Sequence, residues 1–277
     1  MYDFRKSAYL TNYLIASLLS AVTLVLNAVC FTKYWFRTHG DGSLKTIFTS
    51  IVWHMAFAFV TLVHSIYMIL IFTDICPRVD CLVFISGNLV YSVETSIGIC
   101  NIFNAYDRLL AMWCPIRYHQ SYHVLIQRLL TCSTLVVSSG FALIFYLTAR
   151  GAPIVVYAFA SYVNLNVLFS LHFFDCSTSL VNIIVSFLFL REFRKFLKQM
   201  KTGRVVQPLG IAKIDQLIVY QVIADFLILI APILTTTAVK YTLQLDWPSK
   251  IGPYPITLFT LYTAVCAMLF KFKLEIH

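Results

Sequence analysis

The chain has 277 residues, 60% of them hydrophobic and only 12% charged, with a mean hydropathy of +0.80. Soluble domains are about 45 to 50% apolar and about 25% charged, so this balance argues against a water-soluble enzyme and against a disordered tail, which needs the opposite composition. Eight cysteines are too dilute for a disulfide scaffold, and in so apolar a chain a net charge of +9 reports where loops lie beside a membrane rather than affinity for nucleic acid.

A helix crosses the hydrocarbon layer with about 20 mostly apolar residues. Seven segments meet that length: Leu10–Phe31, Ile47–Phe72, Leu82–Tyr106, Leu125–Leu147, Val163–Leu190, Ile214–Val239 and Tyr254–Phe270. The expected fold class is therefore all-α, one integral membrane domain spanning 1–277 with no internal repeat and no soluble linker. The first segment follows only Arg5 and Lys6, and its apolar run is longer than the core of a signal peptide, so it reads as a retained helix. The second contains His54 and His64, ten residues apart and hence on different faces; they read as packing histidines, with Asn27 of the first helix a partner for His54.

Ionisable groups at bilayer depth are costly, and each is a candidate for function. Glu94 lies midway along the third segment, Asp175 in the fifth and Asp225 in the sixth; Glu94 and Asp175 fall roughly 16 to 18 Å below one membrane face at 1.5 Å per residue. His172 precedes Asp175 by three residues and shares its helix face. The spacing predicts a central pocket with Glu94, Tyr91, His172, Asp175, Phe226 and Tyr262, to which Phe173 and Phe174 add aromatic surface, suited to a ligand with a cationic or hydrogen-bonding head. The alternative is that Glu94 is protonated and bonded to a neighbouring helix, holding the bundle together. Pro232 interrupts the sixth segment and predicts a kink.

Lys and Arg in short loops set orientation. Fifteen fall on one side and six on the other, which predicts an exterior N-terminus and a cytoplasmic C-terminus. Between the fifth and sixth segments Arg191, Arg194, Lys195, Lys198, Lys201 and Arg204 stand against Glu192 alone, at spacings that place many on one helical stripe. That stripe attracts headgroups, docks a partner protein, or does both. His119 and His123 are spaced for a metal only if their loop is helical. No other cluster suggests catalysis, and neither a cofactor nor a metal is expected.

At the end of the third segment the chain reads Tyr106-Asp107-Arg108-Leu109-Leu110-Ala111-Met112-Trp113-Cys114-Pro115-Ile116-Arg117-Tyr118-His119. An acidic residue, an arginine and a following Pro-Ile-x-Tyr resemble the third-helix signature of G-protein-coupled receptors. With the short loops and aromatic-rich spans, the chain looks most like the nematode serpentine chemoreceptors. The resemblance implies a rhodopsin-like seven-helix bundle in the plasma membrane, sensory cilium included, that binds a small extracellular ligand and signals to a heterotrimeric G protein. It implies a switch in which Arg108 is held by Asp107 and Asp215 at rest and released when the sixth helix moves about Pro232. Pro115, Tyr118, Arg191, Arg194, Lys195 and Lys198 would then contribute to coupling, and homo- or hetero-dimers remain open. Asn27 fits the family pattern. His54 stands where a buried Asp is usual, and Val265-Cys266-Ala267-Met268-Leu269 stands where Asn-Pro-x-x-Tyr is usual, which raises the reading of a chain that has lost signalling. Between Thr148 and Ser161 there is no cysteine for the family's outer disulfide, so Cys81 either pairs locally with Cys76 or stays free. The remaining alternative is a transporter or channel that uses Glu94, Asp175 and Asp225 as an ion or proton relay.

Overall fold

A computed structural model describes residues 2–35, 45–150, 159–202, 219–243 and 253–276. Among these residues there is no strand. Seven helices are long and apolar enough to cross a membrane: α1 (Tyr2–Trp35), α2 (Lys45–Phe72), α3 (Asp80–Trp113), α4 (His123–Leu147), α5 (Leu165–Thr202), α6 (219–243) and α7 (Tyr254–Ile276). Several run past the apolar segments that announced them. α1 begins eight residues earlier than the apolar run, α3 continues to Trp113 and α5 to Thr202, because backbone hydrogen bonding continues into the polar boundary where hydropathy alone stops. The expected start of the sixth span at Ile214 lies outside the described residues.

Proline positions explain much of the punctuation. Pro77 lies between α2 and α3, Pro115 opens a short turn (Pro115–Arg117) after α3, and Pro255 occupies the first turn of α7, where its missing N–H has no intrahelical role. In the turn after α2, Asp74 has a φ of 58°, a left-handed conformation that Asp tolerates better than bulkier residues. The N–H groups of Ile75 and Cys76 then return to the Leu70 carbonyl at 3.0 and 3.2 Å. Among the described residues only Pro232 falls beyond the first turn of a membrane-length helix, and just before it Asp225–Ile230 forms a π-helical stretch. Where the sequence predicts a kink, the structure shows a widened, π-helical turn. Proline cannot donate to the carbonyl four residues back, and the π register redistributes the bonds.

The helices close a ring in the neighbour order α1, α2, α3, α5, α6, α7 and back to α1, while α4 packs outside on α3 and touches α2. Of the apolar window of α3, 56% is buried inside the bundle, against 17% for α4. The surface is inverted relative to a soluble protein: Leu18, Val136, Leu147, Phe173 and Phe187 are exposed, whereas Ser20, Asn27, Ser50, Thr61 and Thr134 are buried. Such continuous exposed apolar surface marks contact with lipid, and the protein is accordingly a multi-pass membrane protein.

Candidate functional site: a polar column along α3

Glu94, Asn101, Asn104 and Asp107 recur at intervals of seven, three and three residues and therefore share one face of α3. All four are buried. They span about 20 Å along the axis, and each meets a different set of neighbours.

At the first level, Glu94 and Asp175 are 3% and 6% exposed, and they approach each other across the α3–α5 interface closely enough that two ionised carboxylates there would repel. Glu94 Oε2 and Asp175 Oδ2 are buried without a hydrogen-bond partner. The close approach of the helices has a local cause. A Cβ on Gly98 would lie 2.5 Å from Thr178 Oγ1, so glycine lets α3 and α5 meet one turn below the carboxylates. Above them Tyr91 is buried and stacks on Phe159 at 5.2 Å and 27°. Phe159 belongs to the α4–α5 connection, and it also contacts Phe145 at 5.3 Å and fills the space beside Gly87.

Four helices meet at the second level. Asn101 Nδ2 donates to the Tyr262 hydroxyl at 2.7 Å, and Asn182 of α5 donates to Asp225 of α6. Tyr262 and Asp225 interact electrostatically, which joins α3, α5, α6 and α7 at the π-helical stretch. At the third level Asn104 Nδ2 donates to Ser50 Oγ of α2 at 2.7 Å. At the last level Asp107 accepts from Thr46 Oγ1 at 3.1 Å and from the Tyr118 hydroxyl at 3.0 Å. Tyr118 opens the π-helical segment Tyr118–Tyr122 and is buried, so the turn begun by Pro115 folds its ring back under the bundle. Arg108, next to Asp107, is partly exposed.

The structure thus brings together Glu94, Asp175 and Tyr91, and separately Asp107 and Tyr118. Other expected site residues are placed elsewhere. Phe226 is 50% and Phe173 76% exposed on the lipid-facing surface, so neither lines the interior. Aromatic residues suit both surroundings, so their type does not choose between them. Tyr262 is fully buried but serves the second level rather than a wall beside Glu94. His172 is partly buried, and no hydrogen bond joins it to Asp175 among the described residues. Nor do Asn27 and His54 bond each other: both are fully buried, with neither the Asn27 amide nor the His54 ring nitrogens partnered. Instead His54 packs edge-on against Phe270 at 5.3 Å. His64 Nδ1 meets Ser86 Oγ at 2.8 Å. Asp215, the expected second partner of Arg108, lies outside the described residues.

Cys76 and Cys81 carry free thiols. The α4–α5 connection is instead fastened to the start of α3 by polar contacts. The Tyr162 hydroxyl donates to Asp80 Oδ1 at 2.6 Å, Arg78 Nε reaches the same oxygen at 2.6 Å, and the Arg150 N–H donates to the Tyr162 carbonyl at 2.6 Å. Burial, together with its bond to Asp80, holds the Tyr162 phenol above its usual range, and the Asp80 bond raises Arg78. Both groups stay in their donor forms at neutral pH.

Beyond the column, Arg191, Arg194, Lys195 and Lys198 are exposed on α5, with Lys195 bridging to Glu192 at 2.7 Å. They border a cavity of about 480 Å³ between α5 and α6. Among the described residues no group of three or more His, Cys, Asp or Glu is arranged to hold a metal.

Sequence reasoning found the carboxylates but missed Asn101, Asn104, Asn182, Thr46 and Ser50. The 94–101–104–107 spacing was the available signal for the α3 members; the partners on other helices have none. No family model matches the chain, and no curated protein matches it.

Proposed function

We propose that this protein is a seven-helix receptor of the G-protein-coupled type, used in chemosensation, which binds a small extracellular ligand beside Glu94 and Asp175 and signals through Arg108. The observation that carries the reading is the polar column. It begins at two buried carboxylates with unpartnered oxygens and ends at the Asp107–Tyr118 contact beside Arg108. The ring order with α4 outside and α3 the most buried helix supports a rhodopsin-like architecture. A ligand that prefers one arrangement of α6 shifts the population by no more than its differential affinity for the two states. The Asn182–Asp225 bond and the π-helical stretch before Pro232 give that helix a place to rearrange. In this reading the N-terminus is outside and the protein resides in the plasma membrane, with the basic face of α5 available to a G protein.

The test is ligand-screened G-protein activation in cells, wild type against Arg108→Ala. A ligand-dependent response reduced at least tenfold in the variant is expected; equal signalling from both proteins overturns the proposal.

A second reading, an ion or proton relay, is favoured by the continuity of buried polar groups below Glu94. It predicts flux or current through the purified protein in vesicles that contain no G protein, abolished by Asp225→Asn.

A further inference from the structure

α5 runs on beyond its apolar stretch: the sequence turns basic from Arg191, and the helix continues to Thr202. Near this end Phe189, Leu190 and Phe193 pack on Leu109 and Met112 of α3, which fixes the α5 extension against the Arg108 end of the bundle. The side of α5 that faces α6 is different in kind. Phe187, then Arg191, Arg194, Lys195 and Lys198 follow one another at helical spacing along the 480 Å³ cavity. From α6 the opposite wall is apolar, with Val219, Val222 and Ile223.

Two properties of this cleft select a ligand. Among the described residues its lining has four basic side chains and no acid, and with Lys195 bridged to Glu192 beside it the balance still favours an anion. Its chemistry also changes along the helix axis, from apolar at the Phe187 level to cationic over the next three turns, and the apolar end opens onto the exposed surface of Phe187 and Ile223. A free anion would use only half of such a site, and an acidic peptide from solution would leave the membrane-facing half unused. An amphiphile whose acyl chain lies in the bilayer and whose phosphate reaches Arg191 and Arg194 uses both halves. Basic pockets between membrane helices at the interface are suited to such headgroups, and the volume falls within the range of about 300 to 1,000 Å³ usual for small-molecule sites.

We infer that the cleft between α5 and α6 is a binding site for an anionic phospholipid, one with a phosphate-bearing headgroup held by Arg191, Arg194 and Lys195 and an acyl chain against Phe187 and Val222. The inference is independent of the receptor reading, since occupancy is measured with neither agonist nor G protein.

The experiment uses the full chain purified in detergent and measures binding by native mass spectrometry. The probes are dioctanoyl phosphatidylinositol bisphosphate, dioctanoyl phosphatidylcholine and soluble inositol trisphosphate. Saturable binding of the anionic lipid is expected, at least tenfold tighter than that of the zwitterionic lipid and of the free headgroup. The double variant Arg191→Gln, Arg194→Gln should weaken it roughly thirtyfold, from the contribution of two basic residues. Val222→Trp fills the apolar wall; it should weaken lipid binding several-fold and leave headgroup binding unchanged. Folding of each variant is checked by the protection of the buried thiols of Cys30, Cys100 and Cys266. Equal binding of the two lipids overturns the inference, and so does a folded double variant that binds like wild type. A free headgroup as tight as its lipid would reduce the site to a plain anion patch, which also overturns it. Should the double variant not fold, unaltered lipid binding by Val222→Trp is sufficient to reject the site.

Discussion

The two ends of the α3 column use the same residue type in opposite ways. Asp107 is buried and bonded by hydroxyls from α2 and from the turn after α3. Glu94 and Asp175 are as deeply buried and keep an oxygen each without a partner. A bonded carboxylate ties chain segments together, and removing it strands its donors; a partnerless one adds cost in the absence of a ligand and has capacity to bind one. The contrast separates a bonded latch at one end of the column from a pair of carboxylates with unpartnered oxygens at the other, shared between α3 and α5.

The comparison breaks first at Asp107. Replacing it with Ala leaves Thr46 and Tyr118 hydroxyls buried beside a gap and should lower stability by about 3 kcal/mol, since bonds to charged groups contribute about 1.5 to 3 kcal/mol each. Thermal unfolding in detergent, followed by a thiol-reactive dye at the buried cysteines, measures this. A midpoint equal to wild type would show that Asp107 is no latch.

Gly98 tests how the other end is assembled. Gly98→Ala places a methyl group against Thr178 and should cost about 2 kcal/mol by overpacking. Adding Thr178→Ala should return most of that loss. If the single variant is as stable as wild type, the α3–α5 spacing is not set by this contact.

The smallest effect on stability is expected at Glu94 itself. Glu94→Gln keeps the shape and replaces the carboxyl group by an amide, so the unfolding midpoint should change by less than about 1 kcal/mol equivalent in either direction, because no bond of Oε2 is lost. The ligand response, by contrast, should fall at least tenfold. A loss of stability rivalling that of Asp107→Ala would instead make Glu94 part of the glue between helices.

How much of this was legible in the sequence varies by residue. Glu94, Asp175 and Asp225 stood out because a carboxylate within an apolar run is expensive wherever it faces. Tyr118 was noticed for its place after Pro115, but its bond to Asp107 depends on a reversal through a π-helical turn that carries no period of its own. Asn101 and Asn104 share the face of Glu94 yet are neutral, and a neutral amide does not stand out until a partner on another helix is seen. The absent outer disulfide was legible as missing cysteines, whereas the Asp80–Tyr162–Arg78 contact near the same place joins residues 82 positions apart.

The amino-acid sequence by itself determined the number of helices long and apolar enough to cross a membrane, the helical class and the place of each carboxylate along its helix, because these depend on apolar length and on a fixed rise per residue. Only the tertiary structure decided which face of each helix turns inward: Tyr262 toward the column, Phe226 and Phe173 toward lipid. In water an apolar stripe identifies the inner face of a helix, but a helix surrounded by hydrocarbon is apolar on every side. Direction is then chosen by small residues and hydrogen-bond partners on neighbouring helices, which no single segment contains.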